Sequence, residues 1–185
     1  ALSEILTTPL RVVRDDGQLA VVVKPQGVAV TGNYLSLCRS DLLLPFTLPG
    51  RPREAGGPAA GGEYDGRPLR KCRPVHRLDA ATGGLLVLAK TVGAEIHLRK
   101  CFGENLVKKR YRAVVFGRMC HDTGTIDEEV DGKPSVTRYR VVARTRCPDA
   151  RADGWISTVD LRPEHGRRHQ LRKHLKALGH AIWGD

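Results

Sequence analysis

Three short apolar runs, each closed by a turn signal, constrain the fold more than any other feature of this chain. Gln18 to Lys24 (QLAVVVK) is β-branched and is followed by Pro25 and Gly27; Val28 to Val30 extends it. Leu85 to Lys90 (LLVLAK) and Tyr111 to Gly117 (YRAVVFG) are of similar length. Runs of this length are buried strands, too short for a stable core helix. Thr137 to Arg144 and Trp155 to Arg162 alternate apolar with polar residues, as half-buried strands do, and a polar loop from Cys147 to Gly154 separates them. Thr123 to Pro134 is rich in turn residues and is expected to be a connection.

Two segments carry helical spacing instead. Thr91 to Phe102 places Ala94, Leu98, Cys101 and Phe102 near one face. Near the end, Leu171, Leu175 and Leu178 form an apolar stripe, Arg168, Arg172 and Lys176 a basic one, and Gly179 stops the helix. Together these elements predict an α+β fold, a mixed and largely antiparallel sheet with flanking helices. From Pro45 to Pro68 the chain turns rich in Gly and Pro and loses all periodicity. That stretch buries too little to offset its ordering entropy, so it reads as an insertion within one domain spanning residues 1–185.

Charge narrows the partner. The chain holds 31 Lys and Arg against 20 Asp and Glu, a net charge of +11, which attracts polyanions. No apolar run approaches the roughly 20 residues a membrane helix needs. Cys38, Cys72, Cys101, Cys120 and Cys147 are scattered and odd in number, without a CxxC pair, which speaks against a disulfide framework or a zinc site and for a reducing compartment.

Taken singly, the polar residues of interest have ordinary explanations. An Asp before a Thr-Gly-Gly turn is usually a turn residue, a Tyr opening a strand usually packs, and an Arg on a basic helix is usually solvated. Their order is what carries meaning: Lys24-Pro25-Gln26-Gly27-Val28, then His76-Arg77-Leu78-Asp79-Ala80-Ala81-Thr82-Gly83-Gly84-Leu85-Leu86, Ala89-Lys90-Thr91, Lys109-Arg110-Tyr111-Arg112-Ala113, and Gly166-Arg167-Arg168-His169-Gln170-Leu171-Arg172-Lys173-His174-Leu175. In this order the chain resembles the RluA-type branch of the RNA pseudouridine synthases, from about Leu10 to Asp185 apart from the Gly/Pro-rich stretch.

The resemblance implies a catalytic fold with an RNA-binding cleft across its sheet and isomerisation of selected uridines in RNA. It makes Asp79 the essential aspartate, Tyr111 the active-site tyrosine and Arg172 the basic residue that pairs with the aspartate. Arg77 matches the residue that helps displace the target base. His76, Lys109, Arg110, Arg167, Arg168, His169 and Gln170, in the same motifs, are expected to contact RNA. Arg70, Lys71, Arg73, Lys108 and Lys176 are further phosphate candidates. No cofactor is implied. His169 and His174 invite a metal, but a separation of five on a helix puts them on different faces, and no carboxylate stands as third ligand. The expected partner is ribosomal or transfer RNA and the expected state a monomer. The cytoplasm is the expected compartment, with an organelle as the alternative if a targeting segment has been removed.

The chemistry accounts for these residue types. The glycosidic C–N bond must break, the uracil turn, and a carbon bond form. An ionised carboxylate can serve there as nucleophile or as base. Burial raises a carboxyl pKa and a nearby Arg lowers it, while a tyrosine ring offers a face on which uracil stacks. The chain departs from the family at Gly83, where Ser is usual, at His165 (Thr), at Ala181 (Pro), and in Val30-Thr31-Gly32 after the first turn. Family chains also run on past the Gly184-Asp185 pair, so an incomplete or trimmed end is expected. Rival readings are a catalytically silent RNA-binding module on the same fold, a basic structural module and a nuclease. The first predicts loss of Asp79, Tyr111 or Arg172, the second leaves the His76 and Gly166 motifs unexplained, and the third wants clustered carboxylates.

Overall fold

The structure, a computed structural model, describes residues 9–30, 48, 66 and 68–184. The insertion expected at 45–68 therefore lies outside the described residues, apart from 48, 66 and 68. The chain forms two compact units, Ala1–Glu104 and Asn105–Asp185, each with a four-stranded sheet in which all pairs are antiparallel.

In the first unit the strand order is β1 (Arg11–Asp15), β2 (Leu19–Lys24), β4 (Gly84–Thr91), β3 (Pro68–Pro74). The expected strands at 18–24 and 85–90 are the two central ones. Val28 to Val30 does not extend β2: the chain turns at Gln26-Gly27, and only Ala29 keeps a bridge. The edge strands were not legible. All of β1 is exposed, so no inside and outside alternate along it. The other edge, β3, is PLRKCRP, and prolines and cations suit an edge because they discourage further pairing.

Apolar side chains cover both faces of β4 from Leu86 to Ala89, which is why that stretch is apolar without a gap. Leu86 and Leu88 stand in register with Val22 and Ala20 on one face. On the other, Ala89 and Val87 pack with Val75 and with Ala94, Leu98 and Phe102 of α1 (Val92–Gly103). The helix begins where Thr91 Oγ1 accepts the amide of Ala94 at 3.2 Å, satisfying one of the amides left free at a helix start.

In the second unit the order is β5 (Tyr111–Phe116), β8 (Trp155–Pro163), β7 (Val136–Arg146), β6 (Thr123–Asp127). Val115, Met119, Ile126, Tyr139, Val159 and Leu161 form the core with Leu175 of α2 (Gln170–Ala177). The segment from Thr123 to Pro134 is more than a connection, because its first half is β6. Its signal was hidden by Gly124, which faces Tyr139 across the strand pair and leaves the tyrosine ring to fill the place of a side chain. The apolar stripe of α2 is shorter than expected: Leu175 is buried and Leu171 half-buried, but Leu178 is 41% exposed. Gly179, at φ +85°, ends the helix as expected. Among the described residues no helix is long and apolar enough to cross a membrane.

Candidate active site

Asp79 lies in the first unit, half-buried, in the loop between β3 and β4. A single buried cation organises that loop. Lys24 continues the parity of Ala20 and Val22, so its side chain enters the buried face of β2, where it is fully enclosed. Its ammonium donates to the carbonyls of Pro25 (2.9 Å), Val28 (2.5 Å) and Ala80 (3.2 Å). The amide of Gly27 donates to the same Ala80 carbonyl at 2.8 Å, and the amide of Thr82 to the carbonyl of Asp79 at 3.0 Å. The Lys24-Pro25-Gln26-Gly27 turn is thereby clasped to the Asp79 loop. Burial pulls the Lys24 pKa below its ordinary value, and the negative charge of Asp79 opposes that shift.

Space is tight where the two segments meet. A Cβ on Gly83 would stand 3.0 Å from Cγ of Gln26 and 3.4 Å from the carbonyl oxygen of Lys24. Gly83 thus lets Gln26 lie against the loop. The imidazole of His76 faces inward: Nε2 accepts the amide of Val87 at 3.0 Å, and the ring stacks on Phe102 with centroids 4.4 Å apart. Arg77 is exposed and Leu78 buried.

Tyr111 and Arg172 belong to the second unit. Tyr111 opens β5, half-buried and packed on the edge of the core. Arg172 is half-buried on α2. With His169, Lys173, Lys176 and Ala181 it lines a hollow of about 330 Å³. Arg168 falls before the helix begins, so the basic stripe on α2 consists of Arg172 and Lys176, with Lys173 beside them. Lys173 pairs with Asp131, whose carboxyl that hydrogen bond holds below its usual range.

The remaining expected RNA contacts divide by environment. Lys109 is half-buried, and burial lowers its pKa. Arg110 is exposed and donates to Asp160 at 2.5 Å. Arg167 carries a buried Nε without a hydrogen-bond partner. His169 sits at the helix start with φ +54°. Gln170 is buried and fully engaged. Its Nε2 donates to the Val136 carbonyl (3.0 Å) and to Thr137 Oγ1 (3.1 Å), and its Oε1 accepts the amide of Arg167 (3.1 Å). Thr137 Oγ1 lies 3.0 Å from Nδ1 of buried His174, whose Nε2 lies 3.2 Å from the Glu128 carbonyl. Gln170 and His174 therefore anchor the helix that carries Arg172. Of the phosphate candidates on β3, Arg73 pairs with Glu95 at 3.1 Å and Lys71 is exposed. The described residues hold no group of three His, Cys, Asp or Glu placed to bind a metal.

The motifs gave Lys24 no role, although its parity with Ala20 and Val22 was a readable signal. Asp160 carried no signal at all, because its importance lies in cross-strand neighbours.

Comparison with known proteins identifies the family. A family profile described as RNA pseudouridylate synthase matches residues 18–177. The chain is 33% identical over 192 residues to the dual-specificity RNA pseudouridine synthase RluA of Haemophilus influenzae, covering 95% of this chain and 75% of that protein. It is 33% identical over 195 residues to the ribosomal large subunit pseudouridine synthase D of Zymomonas mobilis, covering 96% of this chain but 55% of the relative. Among solved structures, human RNA pseudouridylate synthase domain containing 1 superposes with a TM-score of 0.72 at 26% identity, over 95% of this chain and 68% of that one. On the extent of the profile match and the identity to these relatives, the chain belongs to the RNA pseudouridine synthase family, isomerases that convert uridine in RNA to pseudouridine.

Proposed function

We propose that this chain isomerises selected uridines in structured ribosomal or transfer RNA, with Asp79 as its essential carboxylate. The observation that carries the assignment is the clasp on the Asp79 loop. A fully buried ammonium is costly unless it is hydrogen-bonded, and here its three carbonyl contacts secure the backbone on the far side of Asp79. A turn residue with no task would not need such support.

In this reading the target nucleotide leaves its stack, at a cost of a few kcal/mol in a duplex and less in a loop. Tyr111 offers its ring to the extruded uracil, and Arg172 supplies a guanidinium beside it. Asp79 acts as nucleophile or as base while the C–N bond breaks, and the carbon that forms the new bond releases its hydrogen. The rearrangement is redox-neutral, so side chains suffice and no cofactor is proposed. Arg77, Lys109, Arg167, Arg168 and His169 are assigned to RNA contact, with Arg172 and Lys176 drawing phosphate into the hollow on α2. The choice of RNA follows the relatives, one named for the large ribosomal subunit and one for dual specificity. A monomer in the cytoplasm is the proposed setting.

The test is tritium release from RNA carrying uridine labelled at carbon 5. Release by the wild-type chain, and none by Asp79→Asn with RNA binding retained, is expected. Equal release from both would remove Asp79 from the chemistry. No release from either, with tight binding, would favour a silent RNA-binding module.

A further inference from the structure

The sheet of the second unit has two unlike faces. Val115, Tyr139, Val159 and Leu161 lie on the side that packs against Leu175 of α2. Residues one step along each strand take the opposite face. There, register puts Arg112 of β5, Asp160 of β8 and Arg140 of β7 in one row. The neighbouring row sets Arg162 of β8 directly opposite Arg138 of β7. Arg110, two residues before Arg112, reaches the same centre.

One carboxylate organises most of this face. Asp160 Oδ1 accepts Nε of Arg112 at 2.8 Å, and its Oδ2 accepts Nη2 of Arg110 at 2.5 Å and Nη2 of Arg112 at 3.3 Å. Nη2 of Arg140 stands 3.7 Å away. Glu164 pairs with Arg138 at 2.8 Å. The guanidinium groups of Arg110, Arg112 and Arg140 gather at the aspartate, whose side chain is 6% exposed, while the side chains of Arg110, Arg112, Arg138 and Arg140 are 56, 57, 67 and 66% exposed. Five arginines thus meet two carboxylates on an open face. Like charges directly opposite one another weaken a strand pair, yet Arg138, which Glu164 offsets, stands opposite a second arginine, Arg162.

We propose that this arginine-covered sheet face is a second RNA-binding surface, which grips backbone phosphates apart from the residues assigned to catalysis. Its ligand rests on the RNA-modifying reading above; its geometry does not. Strands stand about 4.8 Å apart and alternate residues about 7 Å along a strand, so the guanidinium groups form a flat grid that can meet several successive phosphates. The planar fork of each arginine matches two phosphate oxygens. Asp160 is the positioning residue: it orders Arg110 and Arg112 before RNA arrives, which reduces the entropy lost on binding.

The test uses the chain with Arg138, Arg140 and Arg162 changed to Gln, and a second chain with the same three changed to Lys. Affinity for a ribosomal RNA stem-loop is measured by fluorescence anisotropy across a KCl series, with tritium release alongside. The Gln chain should bind roughly tenfold more weakly at moderate salt, and its slope of log affinity against log salt should shrink by about 2. Its kcat should hold while KM rises, and the Lys chain should regain most of the slope. Unchanged affinity and slope in a Gln chain of wild-type thermal stability would overturn the proposal, whether or not tritium is released. So would a wild-type chain that binds no RNA, or a face that binds an acidic protein but leaves the RNA slope unmoved. A changed slope without any tritium release would sustain the surface and sink only the catalytic reading.

Discussion

The ammonium of Lys24 lies 3.2 Å from the carbonyl oxygen of Ala80, the residue that follows Asp79. Two segments far apart in sequence are joined there by a buried charge. Lys24→Met keeps the length and removes the charge, taking a donor from the carbonyls of Pro25 and Val28 and leaving Ala80 with the Gly27 amide alone. A loss of about 2–3 kcal/mol of stability is expected in urea denaturation, and at permissive temperature a fall in kcat larger than any change in RNA affinity. Full activity in the folded variant would show that the clasp does not position Asp79.

Gly124 faces Tyr139 so closely that a Cβ there would stand 2.5 Å from the ring. Gly124→Ala should force the ring or β6 aside and cost about 1–3 kcal/mol. Differential scanning calorimetry would register this as a lower melting temperature. Combining it with Tyr139→Leu should cost less than the sum of the two single changes, because the clash is then gone.

Gln170 was expected to touch RNA; within the fold its amide is engaged with Arg167, Val136 and Thr137. Gln170→Leu should therefore destabilise by about 2–3 kcal/mol and leave the salt dependence of RNA binding untouched. A stable variant with weakened RNA binding would return Gln170 to the interface.

Hydrogen bonds from Arg112 and then Arg110 hold the Asp160 carboxyl well below its usual 3.8. The unfolded chain then takes up this proton at higher pH than the folded one. The stability Asp160 contributes is complete above pH 3.8 and is lost as pH falls through the lower folded value. Urea midpoints measured from pH 5 downward should fall more steeply for wild type than for Asp160→Asn. Parallel curves would mean that the carboxylate is not held by its arginines.

The central strands could be read from the sequence because burial leaves a local trace. A strand covered on both faces, as β4 is from Leu86 to Ala89, is apolar over that stretch, and one covered on a single face alternates. The helices were legible for the same reason, α2 through its two stripes and Gly179, while the Thr91 cap of α1 is a feature the structure adds. Where cover comes from elsewhere the trace fades. The exposed β1 has no inside, β3 is written in edge residues, and β6 borrows the ring of Tyr139. Leu178 fits a helical stripe but lies beyond the last packed turn of α2.

The motif order by itself determined the family and put forward Asp79, Tyr111 and Arg172 as the residues proposed for the chemistry. What those motifs do locally was decided by tertiary structure. His76, Gln170 and His174 stand in RNA-modifying motifs, yet their polar atoms are turned to backbone and side-chain partners within the fold. Lys24 is a cation in an apolar parity, and Asp160 gathers arginines from neighbouring strands. These roles depend on which polar groups meet once water is excluded, and that is fixed by strand register and packing between segments distant in the chain, which no local pattern of residues records.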